Sequence, residues 1–149
     1  MDSFLFDEAL AKLDPSLLEL TRFEDERQGR KLIMIPSEST APLAVRQLLS
    51  SSFQNIYAEG YPRVETRVQS EDEILDYAAQ LSTYRRYSDL RYYKGVEYVD
   101  VVEALARRRA AELFAIGNFL PDDLWVNVQP LSGAPANTAV YTALIKPGD

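Results

Sequence analysis

Apolar residues recur at three- and four-residue intervals through six segments of this chain, and that spacing predicts helices. Residues 4–13 read as a short amphipathic helix. Asp14 then stands as the N-cap of a second helix, with Pro15 at its first position, Leu17, Leu18 and Thr21 along it, and an end near Gly29. Thr40 caps a third, which carries Val45, Leu48 and Leu49 on one face. Ser70 and Glu73 make a capping-box pattern that opens a long helix over residues 70–89, with Ile74, Leu75, Ala78, Leu81 and Tyr84 sharing a face. Asp100 and Glu103 make a second capping box, and Val102, Leu105, Ala106, Leu113 and Phe114 then supply a buried stripe. The last helix covers residues 135–145, with Ala139, Val140, Ala143 and Leu144 inward. Two short apolar runs, 32–35 and 124–128, read as strands. Between residues 50 and 67 there is little periodicity, and Gly60 and Pro62 mark an irregular loop.

Two short strands cannot build a parallel sheet by themselves. The expected fold class is therefore α/β, mostly helical as it stands, with an incomplete sheet. Either the chain is a helical module, or it is the opening piece of a larger α/β domain.

Composition narrows the chemistry. The 149 residues can bury one ordinary core, no apolar run approaches a membrane span, and no basic-then-apolar leader suggests export. Net charge is −7 with the acids spread along the chain, which argues against nucleic acid as a partner. The run Arg107, Arg108, Arg109 reads as a solvated helix face flanked by Glu103 and Glu112. Cysteine is absent, which removes disulfides and thiolate chemistry. Histidine is absent too, so acid–base work falls to carboxylates, tyrosines or lysines, and no metal site is expected.

Four stretches could carry that work. Residues 132–137, SGAPAN, follow a strand and open a helix, which is how a chain offers backbone N–H groups to a phosphate; an ordinary helix start reads the same way. Residues 57–62, YAEGYP, place a glutamate in an irregular loop. Residues 91–93, RYY, read by themselves as amphipathic tyrosines of the kind common at subunit boundaries. Residues 35–39, IPSES, read by themselves as a polar turn before a helix.

In their order and wording these blocks resemble the serine hydroxymethyltransferase family, pyridoxal-phosphate enzymes of fold-type I, from about Phe23 to Asp149. The resemblance is to the N-terminal portion of that family. It implies that Ser132, Gly133 and the Ala134 backbone N–H grip the cofactor phosphate, and that Tyr57 reaches the same phosphate. It implies acid–base or folate-positioning work for Glu59, in a partly desolvated setting, and a catalytic and substrate-contacting place for Tyr93. Tyr92 joins those substrate and folate contacts, and Ser37 binds the amino-acid carboxylate. Departures from the family are Ala134 in place of a second serine, Leu131 in place of a histidine, Lys94-Gly95 in place of Gly-Gly, and a longer link between Pro62 and Arg91.

The resemblance also implies an activity: exchange of a one-carbon unit between serine and tetrahydrofolate, giving glycine. The family needs a cofactor lysine and an aspartate on the pyridine nitrogen, both expected beyond Asp149. None of Lys12, Lys31, Lys94 or Lys146 stands in the family's lysine motif, so this portion alone is expected to be inactive. Expected partners are small molecules, with neither nucleic acid nor membrane, in a cytoplasmic homodimer whose sites are shared between protomers. The expected organisation is an N-terminal helical arm over 1–30, then active-site loops with an inserted helix over 31–99. The start of the cofactor-binding domain follows over 100–149. Two other readings stay open: a non-catalytic helical module that binds a full-length partner, and an aldolase of the same family acting on β-hydroxy amino acids.

Overall fold

The computed structural model describes residues 9–87 and 90–149. The chain divides into two compact units, Met1–Arg46 and Gln47–Asp149. Among the described residues no helix is long and apolar enough to cross a membrane.

The first unit contains a helical turn, α1 (Leu10–Leu13), and a long helix, α2 (Pro15–Arg30). The expected helix over 4–13 lies partly outside the described residues. Asp14 caps α2 as expected: its Oδ1 accepts the Leu17 N–H at 3.0 Å, and Pro15 takes the first position. The helix runs through Gly29, however, and ends at Arg30, with Lys31 as its extended C-cap. Glu24 helps to carry it past the glycine by accepting from Arg27 Nε (2.7 Å) and Gln28 Nε2 (2.7 Å) on the same face. Thr40 caps nothing: the next helix, α3 (Leu43–Leu49), starts later, and the Arg46 N–H bonds the Pro42 carbonyl at 3.1 Å.

The second unit is organised around α6 (Glu97–Phe114), against which α4 (Glu71–Leu75) packs. Ser70 and Glu73 form the expected capping box. The predicted single helix over 70–89 is instead two, α4 and α5 (Tyr77–Tyr87), broken at Asp76. Asp76 ends one and caps the other. Its N–H bonds the Asp72 carbonyl (3.1 Å), while its Oδ1 accepts from the Ala79 N–H (3.1 Å). Residues 88 and 89 of that prediction lie outside the described residues.

The core is small. Ile74, Val101 and Ala104 meet, with Leu105 against them, and Val96 and Ala111 are also buried. The buried side of α6 is therefore not the predicted stripe: Val102, Leu113 and Phe114 are exposed, and Glu103 is buried in their place. α6 also begins one turn earlier than predicted, at Glu97, so Asp100 and Glu103 lie inside the helix and form no capping box. The arginine run is a solvated face only in part. Arg109 is exposed, as expected, and pairs with Glu71 of α4, whereas Arg107 and Arg108 are partly buried and Arg108 holds both Glu112 (2.6 Å) and Asp122 (2.7 Å).

Among the described residues there is no strand, although Lys31, just before the first predicted run, and Leu124, the first residue of the second, hold extended dihedrals. A strand needs a neighbour to complete its ladder, and neither run has one here. The last helix, α7 (Gly133–Leu144), is present, but its expected inward residues Ala139, Val140, Ala143 and Leu144 are all exposed.

Candidate active site

The second unit brings residues 57–62 and residues 91–95 together, and Arg91 is the reason. Its side chain is wholly buried. Nε donates to Asp100 Oδ1 at 2.5 Å and Nη2 to Glu103 Oε2 at 2.7 Å. Nη1 donates to the carbonyls of Ala58 (2.6 Å) and Gly60 (3.0 Å), on either side of Glu59. Burial works against the guanidinium charge, but the bonds to Glu103 and Asp100 outweigh it and hold the group above its ordinary range. Asp100 and Glu103 can share this task because residues three apart on a helix face the same way.

The backbone closes the arrangement. The Tyr92 N–H donates to the Glu59 carbonyl at 3.0 Å, and Lys94 Nζ donates to the Arg91 carbonyl at 3.2 Å. Gly60 sits at φ +109°, where a Cβ would come within 3.1 Å of the Arg91 Cα. Only glycine combines that dihedral with that approach. Gln129 joins from the third segment: its Nε2 donates to the Gly60 carbonyl (2.6 Å) and to both carboxylate oxygens of Glu103 (2.9 and 3.1 Å).

Three tyrosines lie over this clip. The rings of Tyr57 and Tyr93 are 5.2 Å apart, and those of Tyr92 and Tyr93 meet edge to face at 4.9 Å. Glu59, Tyr57, Tyr92 and Tyr93 thus share one locality. The Glu59 side chain is exposed, so this chain by itself does not supply the desolvation that the resemblance implies.

Ser132 is the extended N-cap of α7, and its hydroxyl makes no bond back into the helix. Gly133 is the first helical residue, and open space surrounds the position of an added Cβ there. The N–H groups of Gly133 and Ala134 precede the first intrahelical bond, from the Ala136 N–H to the Ser132 carbonyl at 3.3 Å. Two outward N–H groups, a hydroxyl and a helix N-terminus fit a phosphate. Ser37 belongs to the first unit, in a tight turn where the Glu38 N–H bonds the Ile35 carbonyl at 3.0 Å.

Sequence reasoning missed the roles of Asp100, of the buried Glu103 and of Gln129. The three-residue spacing of the two acids is the available signal, and it fits a cap as well as a shared buried partner. Gln129 carried none.

Comparison with known proteins agrees with this set of segments. The serine hydroxymethyltransferase family model matches residues 10–88 and 80–149. The chain is 41% identical over 144 residues to serine hydroxymethyltransferase of Bifidobacterium longum subsp. infantis, covering 97% of this chain and 26% of that one. It is 40% identical over 149 residues to the same enzyme of Kocuria rhizophila, covering 100% of this chain and 27% of that one. A mitochondrial serine hydroxymethyltransferase of Eremothecium gossypii is 34% identical over 145 residues, covering 97% of this chain and 23% of that one. The class is that of the fold-type I pyridoxal-phosphate enzymes. Within it, the chain belongs to the serine hydroxymethyltransferase family. It spans about a quarter of the length of the curated relatives it matches.

Proposed function

We propose that this chain supplies part of the active site of an enzyme that interconverts serine and glycine with tetrahydrofolate as one-carbon acceptor. The observation that carries the reading is the clip around Arg91. It gathers Glu59, Tyr57, Tyr92 and Tyr93 from loops more than thirty residues apart, in a chain that belongs to this family.

Pyridoxal phosphate, when bound, supplies the electron sink that the reaction needs. The chain's own residues hold and orient. Ser132 Oγ and the N–H groups of Gly133 and Ala134 receive the phosphate at the α7 N-terminus, and the Tyr57 hydroxyl donates to it. Ser37 binds the substrate carboxylate. Glu59 holds or moves a proton at the substrate hydroxyl or on the folate side, and Tyr92 and Tyr93 line that path. Pairing of two copies would cover the exposed Glu59 carboxyl, so the site is shared between protomers of a cytoplasmic homodimer.

The test is a pair of variants in the intact protein. Ser132→Ala should weaken cofactor retention and leave turnover at saturating cofactor within a few-fold. Glu59→Gln should leave cofactor retention unchanged and lower serine turnover with tetrahydrofolate by roughly 10²-fold. Equal effects of both variants on both readouts would defeat the assignment.

A further inference from the structure

We propose that Gln129 is a positioning residue for Glu59, linking the phosphate turn to the acid–base loop; the inference rests on the reading of Glu59 given above. Three successive carbonyls around Glu59 are held. Ala58 O accepts from Arg91 (2.6 Å), Glu59 O from the Tyr92 N–H (3.0 Å), and Gly60 O from both Arg91 (3.0 Å) and Gln129 (2.6 Å). Gly60 O is the one carbonyl anchored from two distant segments. With Gln129 removed, the Gly60–Tyr61 peptide keeps only the Arg91 bond, and Gly60, a glycine at φ +109° directly after Glu59, offers little resistance to rotation.

Gln129 is itself fixed. Its backbone N–H donates to Asn127 Oδ1 at 2.9 Å, and its side chain reaches the buried Glu103 carboxylate that also binds Arg91. One amide therefore satisfies the far side of the Arg91 ion pair and pins the loop. It stands three residues before Ser132, so the segment that presents the phosphate turn also sets the Glu59 backbone. A misplacement of about 1 Å in a catalytic group can cost about 10²-fold in rate, which makes such an anchor consequential.

The experiment is a double-mutant cycle of Gln129→Met and Glu59→Gln in the intact holoenzyme, with serine and tetrahydrofolate. Gln129→Met keeps the side-chain length and removes the donor. It should lower kcat by about 10-fold or more while the KM for serine stays within about twofold. In the Glu59→Gln background the same change should cost less than about twofold, because its route of action is already lost. Full additivity would show a general structural role and overturn the inference alone. An unchanged kcat in Gln129→Met would also overturn it. An unchanged kcat in Glu59→Gln would remove the reading of Glu59, and this inference with it. If Gln129→Met does not fold, Gln129→Asn, which keeps the amide but falls one methylene short of Gly60, replaces it in the same cycle.

Discussion

Arg91 and Glu103, twelve residues apart, form a buried ion pair, with Nη2 and Oε2 at 2.7 Å and side chains 0% and 9% exposed. Such pairs are costly to break from one side, because the remaining charge stays buried. Glu103→Ala should therefore destabilise the protein by about 3 kcal/mol. Glu103→Gln retains an acceptor and should cost less. Urea denaturation followed by circular dichroism is the check. A loss for Glu103→Ala no larger than that of an exposed acid such as Glu112→Ala would show that Asp100 and the Ala58 and Gly60 carbonyls hold Arg91 without Glu103.

Gly60 makes a second prediction. A methyl group there meets the Arg91 Cα at 3.1 Å, at a dihedral that L residues avoid. Gly60→Ala should cost about 1–3 kcal/mol and lower serine turnover, since the strain falls on the peptide that follows Glu59. A turnover matching the unmodified protein, with an unchanged melting temperature, would contradict the close approach.

The capping box yields a pH-dependent prediction. Hydrogen bonds from the Ser70 N–H and then the Ser70 hydroxyl hold the Glu73 carboxyl below its ordinary value, and Arg109 does the same for Glu71. A carboxyl depressed in the folded state contributes stability above its ordinary pKa and loses it as pH falls through the folded value. Association of α4 with α6 should thus weaken below about pH 4.5, the ordinary carboxylate value. Ser70→Ala should destabilise by about 1 kcal/mol at neutral pH, and by less at pH 3. Thermal melts of both proteins at the two pH values test it. Equal differences at both would sink the idea.

Much of the helical layout was readable in the residues: the Asp14–Pro15 start, the Ser70–Glu73 box and the α7 region all stand where their signals lie. What escaped depends on tertiary partners. Asp76 signals neither stop nor start on its own, and breaks the helix because its main chain and side chain serve opposite ends. The burial of α6 does not follow its apolar positions. This unit instead buries Glu103 against Arg91 and leaves Val102, Leu113 and Phe114 exposed. The site loops were recognisable as wording, through the family. Their assembly was not, because Arg91 binds backbone carbonyls, and a carbonyl leaves no mark on the sequence.

That exposed surface has a consequence for the 149-residue chain in isolation. Leu113, Phe114, Leu131 and Leu144 are among the apolar residues left uncovered. Sedimentation at low micromolar concentration should show self-association or a loosely packed species. A sharply melting compact monomer would favour a self-contained helical module.

The most direct measurement of the account mixes two inactive forms of the intact protein, Glu59→Gln and Gly133→Asp. The second sets a carboxylate against the phosphate turn and should not retain cofactor. If Glu59 serves the partner's site, each hybrid dimer holds one site with both defects and one with neither. Serine turnover with tetrahydrofolate should then partly return on mixing. No recovery, with subunit exchange demonstrated by mass spectrometry, would place Glu59 in its own protomer's site and contradict the shared-site reading.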